Sequence, residues 1–412
     1  MPWANNAKVY INEVLQTNVI EGVSINVGRQ TIDQQTQAGY ARIALLEFDP
    51  ESISINDDVV VKIDNYAGTP TTIFTGDVTD ILTSVLSSGT TVTTITDLIV
   101  TGALARLAIL NVNASGYSEQ LEGDRMVEVL AEALGTKWND IPATKVWTDY
   151  TTEIWSDVLG FDTTEIDQPG LFTLFAAPAL LTNAYEYATT VATSGMGQIY
   201  ESTTGSIGYA DQDRRADYLT ANGFVDISKN FILSDGINIS RSRENIRNDA
   251  FVFYSDADPQ VYVETEDLDS IDLYGRQSEN INTYLKNQVD AETYADRIVL
   301  LNSEAKPLIQ NIGMQLDTPT MGQPLLDALI GVFFGMPISI TNFPSNLYAH
   351  DFFGYVEGWT WTINRFSARL DLDVSDVTYS AKAVAWQDVY IGEYWSSIDP
   401  ELDWSHALLG VN

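Results

Sequence analysis

The sequence contains no cysteine, only two histidines, and 21 basic side chains against 57 acidic ones. Without cysteine there are no disulfides, no thiolate metal sites and no cysteine nucleophile. His350 and His406 lie far apart in sequence, which leaves zinc short of ligands, and no metal or other cofactor is expected. A formal net charge of -36 argues against nucleic-acid binding, because phosphate affinity depends on Lys and Arg displacing condensed counterions. Anionic lipid surfaces are disfavoured for the same reason. The most apolar window, residues 325–340, is broken by Asp327, Gly331, Gly335 and Pro337 and falls short of a bilayer span. Residues 1–6 lack the basic start and apolar stretch of a signal peptide, so synthesis in a cytoplasm without stable membrane insertion is expected.

The chain does have apolar mass. Its 412 residues are 45% hydrophobic and include 9 Trp, 20 Tyr and 15 Phe. At about 150 residues per domain that length allows two to four ordered domains. Residues 8–108 read as short strands with β-branched alternation, as in Val23-Ser24-Ile25-Asn26-Val27, and suggest a small barrel or sandwich. Residues 124–134 read as a helix capped by Asp124, ended by Gly135 and apolar at Met126, Val127, Leu130 and Leu134. An acidic, Trp-rich run, residues 137–168, follows.

A second helix is expected over 183–193 with Thr182 as its cap, then a hairpin of 197–202 and 206–210, together a small αββ module. Strands resume at Asp235, interrupted by an acidic loop (Glu264, Glu266, Asp267, Asp269, Asp272) and a helix over 290–301 with Tyr294, Ala295, Ile298 and Leu301 on one face. The clearest pair, residues 359–363 and 368–374, alternates with period two and meets across Asn364-Arg365.

Four features recur in the same order in the first and last strand regions. Ala44, Leu46 and Phe48 lead into Asp49-Pro50, as Ile312, Met314 and Leu316 lead into Asp317-Thr318-Pro319. Each is followed by an alternating strand (Val59, Val61, Ile63; Ile338, Ile340), then Phe-x-Gly-x-Val (Phe74 to Val78; Phe352 to Val356), then a hairpin. The fold expected is α+β and mainly β: two similar small β-barrel or sandwich domains with inserted α/β modules. The expected boundaries are 1–108, a helical and acidic insertion 109–181, the αββ module 182–234, a second β-domain with one helix 235–380, and an aromatic extension 381–412.

No catalytic motif stands out. There is no Gly-x-Ser-x-Gly, no phosphate loop ending in Lys and no His-Glu-x-x-His, and His350 sits in an aromatic run that suits packing better than base catalysis. Carboxylate pairs suited to glycoside hydrolysis are too abundant for any one to be singled out. The acidic clusters at 264–272 and Asp256-Ala257-Asp258 do not follow the twelve-residue calcium loop. In the extension, Trp386, Tyr390, Tyr394, Trp395 and Trp404 are of the type enriched in contact surfaces, and equally suit packing on their own chain.

The sequence resembles the minor tail proteins of long-tailed bacteriophages that form the hub at the tail tip, akin to baseplate hub proteins. Val27-Gly28-Arg29-Gln30, Gly39 to Leu45 with Asp49-Pro50, Phe74 to Val78 and Val100 to Leu104 carry the resemblance first. Further on come the 184–210 module ending Gly205-Ser206-Ile207-Gly208-Tyr209, Arg243 to Asn248, Tyr274-Gly275, Pro307 and Val356-Glu357-Gly358. It covers residues 23–376; the run 137–168 and the aromatic tail match it poorly.

The resemblance implies a structural virion component, not an enzyme. It would be a homotrimeric hub joining the sixfold tail tube or distal tail ring to tip and fibre proteins and surrounding or closing the DNA exit channel, with the tape measure protein as a neighbour. Two similar domains in each of three chains give six similar units, and DNA would pass a channel lined by acidic groups. A receptor- or saccharide-binding tail protein using Trp359, Trp361 and the aromatic tail as stacking platforms is the alternative. It requires those two rings to be exposed. A cell-wall hydrolase dependent on His350 is a third reading.

Overall fold

Period-two alternation governs most of the strand-rich sequence, and the strands it produces join in one 13-stranded sheet. The computed structural model describes residues 7–17, 20–32, 34–88, 91–138, 166–257, 259–306, 308–318, 320–341, 343 and 351–377. The protein is mainly β. The sheet runs from Ile232–Ser240 through Leu308–Gln315, Ser367–Asp376, Phe352–Asn364, Ile20–Gly28, Gln37–Leu46, Thr91–Thr101, Pro70–Ser88, Asp58–Asp64 and Ala7–Ile11 to Val14–Leu15. Pro337–Ile340 branches off Phe352–Asn364 and carries Val225–Asp226 on its far side. The path has two ends, so the described strands close no barrel.

One core serves both strand regions. Val23, Ile25 and Val27, Ala41, Ile43 and Leu45, Val59, Val61 and Ile63 point into the same cluster as Ile312, Met314, Trp359, Trp361, Ile363, Leu370 and Leu372. Burying each such aliphatic side chain is worth about 1.5–3 kcal/mol, which fixes the face each strand turns inward. The apolar residues that face the core in Gln37–Leu46 are therefore Ala41, Ile43 and Leu45, one residue out of step with the Ala44, Leu46, Phe48 series read from the sequence. The phase resets at Glu47 (φ 51°) before Phe48 turns in.

Strand order is the same in the two regions. Ile20–Gly28, Gln37–Leu46, Thr91–Thr101, Pro70–Ser88 and Asp58–Asp64 follow one another just as Ile232–Ser240, Leu308–Gln315, Ser367–Asp376, Phe352–Asn364 and Pro337–Ile340 do. Registers agree too: Val61 faces Phe74 and Val59 faces Gly76, while Ile340 faces Phe352 and Ile338 faces Gly354. The long hairpins bulge at the same point, after Val78 opposite Val100 and after Val356 opposite Val374. Both Phe-x-Gly-x-Val glycines answer one steric demand. A Cβ at Gly76 would lie 2.3 Å from the Thr101 carbonyl oxygen, and one at Gly354 would lie 2.2 Å from that of Ser375. The regions differ at the outer edge, where Ala7–Ile11 pairs antiparallel with Asp58–Asp64 but Val225–Asp226 pairs parallel with Pro337–Ile340.

The segments between form a second core. The helix Glu122–Trp138 runs past Gly135 and starts before Asp124, so neither is its terminus. Ala184–Ser194 is capped by Asn183, not Thr182, with the Asn183 side chain accepting from the Tyr185 and Glu186 amides. The hairpin Gln198–Glu201 with Ile207–Ala210 turns through Gly205 (φ 85°), and a further helix, Arg214–Asn222, follows it. Asp249–Tyr254, Val261–Glu266 and Ser278–Asn282 form a separate small sheet. It packs with the helix Gln288–Asn302 into this second core through Ala250, Val252, Ala291, Ala295 and Val299. That helix is rotated from the expected face: Ala291, Ala295 and Val299 are innermost, with Tyr294 and Ile298 flanking. The expected acidic loop is the end of Val261–Glu266 plus a helix, Leu268–Tyr274, capped by Asp267. No described helix is long and apolar enough to cross a membrane.

Candidate functional site

The two strand regions meet where Phe352–Asn364 lies antiparallel to Ile20–Gly28, from Gly358 opposite Gly28 to Asn364 opposite Gly22. Trp359 and Trp361 turn into the core; Thr360 and Thr362 turn outward beside Asn26 and Ser24, and the Asn26 amide donates to Thr360 Oγ1 at 2.9 Å. Exposure of both rings is 0%, so they are not stacking platforms, and the saccharide reading loses these two rings.

At the head of this joint the bulge redirects Glu357 inward, a usual consequence of an extra residue in a ladder. Its carboxylate is 1% exposed and accepts from Arg29 Nε (2.7 Å), Arg215 Nη1 (2.6 Å) and Nη2 (2.8 Å) and Ser375 Oγ (2.5 Å). Arg29 Nη1 also donates to the Ile32 and Gln34 carbonyls and to Gln198 Oε1, and Arg215 lies 4.8 Å from the Phe334 ring centroid. Burial pushes the Glu357 carboxyl upward, but the Arg215 and Arg29 charges override it and hold it well below the usual carboxylate range. One ionic cluster thus ties together the first strand region, the second, the central hairpin and the helix Arg214–Asn222.

A second buried carboxylate fixes the central hairpin to the first strand region. Glu201 accepts from the Gly39 amide (2.6 Å) and the Leu104 amide (2.9 Å), filling space a Cβ at Gly39 or Gly102 would occupy. Burial raises its pKa to about 7, against the pull of those two amides. Glu122, bonded to the Leu171 and Phe172 amides, is raised by burial to about 7 as well. For an acid raised in the folded state, the folded form holds more protons. Its stabilising contribution is complete below the unfolded pKa of about 4.5 and is lost as pH rises through about 7. Thermal midpoints should therefore fall between about pH 5 and pH 8. Glu201→Ala should cost about 2 kcal/mol at pH 5 by stranding two amides, and should flatten that slope. An unchanged melting profile at both pH values would count against the assignment.

The outward face of the joint is largely polar, with Ser24, Asn26, Arg42, Thr360, Thr362, Arg369, Asp371 and Asp373, and carries the exposed Tyr40 opposite Asn26. Arg42 pairs with Asp97 and Arg369 with Asp371, each at 2.7 Å. Among the described residues of the large sheet, two stretches of strand edge lie open besides the short outer strands Val14–Leu15 and Val225–Asp226. Among the described strands, Ile232–Ser240 has a neighbour only on the Leu308–Gln315 side. Pro70–Ser88 outruns Asp58–Asp64, leaving residues 82–86 exposed in a two-stranded arm with Leu82, Val85 and Leu86 in solvent.

The five aromatic residues singled out in the extension, Trp386, Tyr390, Tyr394, Trp395 and Trp404, lie outside the described residues, as do His350 and His406. Asp249, Glu264 and Glu266 do converge, but Arg276 reaches all three at 2.9, 3.6 and 2.6 Å and supplies the cation itself. A groove of about 860 Å³ beside the helix Gln288–Asn302 is lined by Thr265, Asp267, Asp296, Arg297, Glu304 and Lys306, and in it the Thr265 hydroxyl donates to Asp296 Oδ1 at 2.7 Å.

No protein-family model matches the chain, and no curated protein matches its sequence. Solved structures do match. The tail protein from Neisseria meningitidis MC58 superposes with a TM-score of 0.60 at 11% identity, over 92% of this chain and 98% of its own. The 43 kDa tail protein of prophage MuSo2 from Shewanella oneidensis gives 0.53 at 9% identity, over 91% and 99%. The chain has the fold of these phage tail proteins. Within this fold the distinctive features are a buried ionic cluster at the joint, a largely polar outer face and two unpaired stretches of strand edge among the described residues. Sequence reading quoted Glu357 within Val356-Glu357-Gly358 but gave it no role, and passed over Arg215 and Glu201, because a lone acid in an alternating strand carries no sign of which way a bulge will turn it.

Proposed function

We propose that the protein is a structural virion component, the homotrimeric hub at the tip of a phage tail. The observation that carries this is the repeated strand order, with the second region joined edge to edge to the first. A chain built this way is two successive segments of a ring, and three chains supply the six segments that a sixfold tail tube or distal tail ring needs. In this reading residues 1–108 and 235–380 are the ring-forming domains, 109–181 and 182–234 are insertions outside the ring, and 381–412, with its Trp and Tyr, contacts tip, fibre or tape measure proteins.

The polar sheet face suits a channel wall for DNA. Its Arg42 and Arg369 are paired with Asp97 and Asp371 and offer no free cation, and its Ser and Thr hydroxyls are neutral. A trimer carries three times a formal charge of -36, repelling phosphate within a screening distance of about 8–10 Å. The protein would be made in the host cytoplasm and reside in the virion, with no catalytic role. Light scattering of the purified chain should give about 137 kDa, three times 45.5 kDa, and labelled antibody should decorate tail tips. A stable 45.5 kDa species at high concentration, or labelling confined to the tail shaft, would refute the proposal.

A further inference from the structure

The strand pairing inside one chain specifies how two chains join. Matching the bulges equates Gly358 to Asn364 with Asp80 to Leu86, and matching the ladders equates Gly22 to Asn26 with Gly236 to Ser240. The sequences agree: Gly22-Val23-Ser24-Ile25-Asn26 and Gly236-Ile237-Asn238-Ile239-Ser240 each alternate β-branched with polar residues after a glycine, and Arg29 and Arg243 follow at the same spacing. Within the chain, Gly358 to Asn364 is covered by Gly22 to Gly28. Among the described residues, its counterpart, residues 80–86, has no strand on its outer edge, and neither has Ile232–Ser240, the counterpart of Ile20–Gly28. Each copy therefore carries one unpaired edge of each kind.

We propose that residues 80–86 of one copy add antiparallel to residues 236–242 of the next, with Val85 opposite Ile237 and Thr83 opposite Ile239. This rests on the trimer reading above and names its contact. Backbone groups of both edges gain partners, which an exposed apolar edge strand otherwise lacks. Val85, 65% exposed, meets Ile237 on the core face, as Ile363 meets Val23 within the chain. Exposed Asp80 comes beside exposed Arg243 of the neighbour, the position taken within the chain by Gly358 beside Arg29. A joint between two different edges is head-to-tail, so it repeats until a ring closes.

The native chain has no cysteine, so paired substitutions report only on the joint. Val85→Cys with Ile237→Cys, and separately Ser84→Cys with Asn238→Cys, place one thiol on each side of neighbouring rungs, and one of the two is a non-hydrogen-bonded pair. Under mild oxidation the full-length variants should yield disulfide-linked dimers and trimers on non-reducing gels, at least tenfold more than Leu82→Cys with Ile237→Cys, which is three residues out of register. A trimeric mass with no cross-link from either in-register pair, or with equal cross-linking of the offset pair, overturns this joint and leaves the trimer standing. A monomeric mass for the native chain removes the trimer reading, and the joint with it.

Discussion

Glu357→Ala should destabilise the protein by about 3–5 kcal/mol, because it leaves two guanidinium groups buried without their counter-charge. The side chains of Glu357 and Arg29 are each 1% exposed and that of Arg215 is 8% exposed, so water cannot take over. Glu357→Gln should cost nearly as much: it keeps one acceptor oxygen but removes the charge and turns an NH2 toward Arg donors. Replacing all three with apolar residues should recover much of the loss, since the charges offset one another's desolvation. Urea unfolding measures this, and a change below about 1 kcal/mol for Glu357→Ala would show that the cluster is not the clamp described. The pH dependence runs opposite to that of Glu201. Glu357 is lowered in the folded state, so its contribution is present above the unfolded pKa of about 4.5 and is lost as pH falls through its much lower folded value. Acid unfolding of Glu357→Gln should lack that component.

The repeat was legible in sequence where geometry leaves no choice of residue. Phe74-x-Gly76-x-Val78 and Phe352-x-Gly354-x-Val356 match because the carbonyls of Thr101 and Ser375 exclude a Cβ at either glycine, while the Phe and Val lie on the core side. Alternating hairpins also read correctly, although the turn is Arg365-Phe366, between the paired Asn364 and Ser367. Illegible features were those that tertiary contacts decide. The inward phase of Gln37–Leu46 depends on its neighbours Ile20–Gly28 and Thr91–Thr101, and Ala44 and Leu46 are apolar enough to mislead. The Gly22/Gly236 match is a repeat signal present in the sequence, yet two short strands of small and β-branched residues resemble many others until their partners are known. Separate cores could not be told from a shared one, because period two fixes which face is apolar and not what it packs against.

Trp361→Ala should cost about 3–5 kcal/mol, the range for emptying an aromatic site in a packed core, whereas Trp361→Phe should cost only about 1 kcal/mol. The difference follows from the indole nitrogen. Trp361 is 0% exposed and its Nε1 has no hydrogen-bond partner among the described residues, so this ring contributes volume alone. Phe gives up part of that volume but also removes a buried donor whose desolvation is uncompensated. Trp359 shares both properties and should behave the same way. Because the two rings lie under the rungs opposite Ile25 and Val27, the alanine variants should loosen the pairing of the two strand regions as well as the core. Hydrogen exchange at Ile25 and Val27 should then rise by more than at Val59 and Val61, which pair within the first region. Equal destabilisation by Ala and Phe would instead reveal a bonded indole, and uniform exchange would mean that the joint opens only with global unfolding.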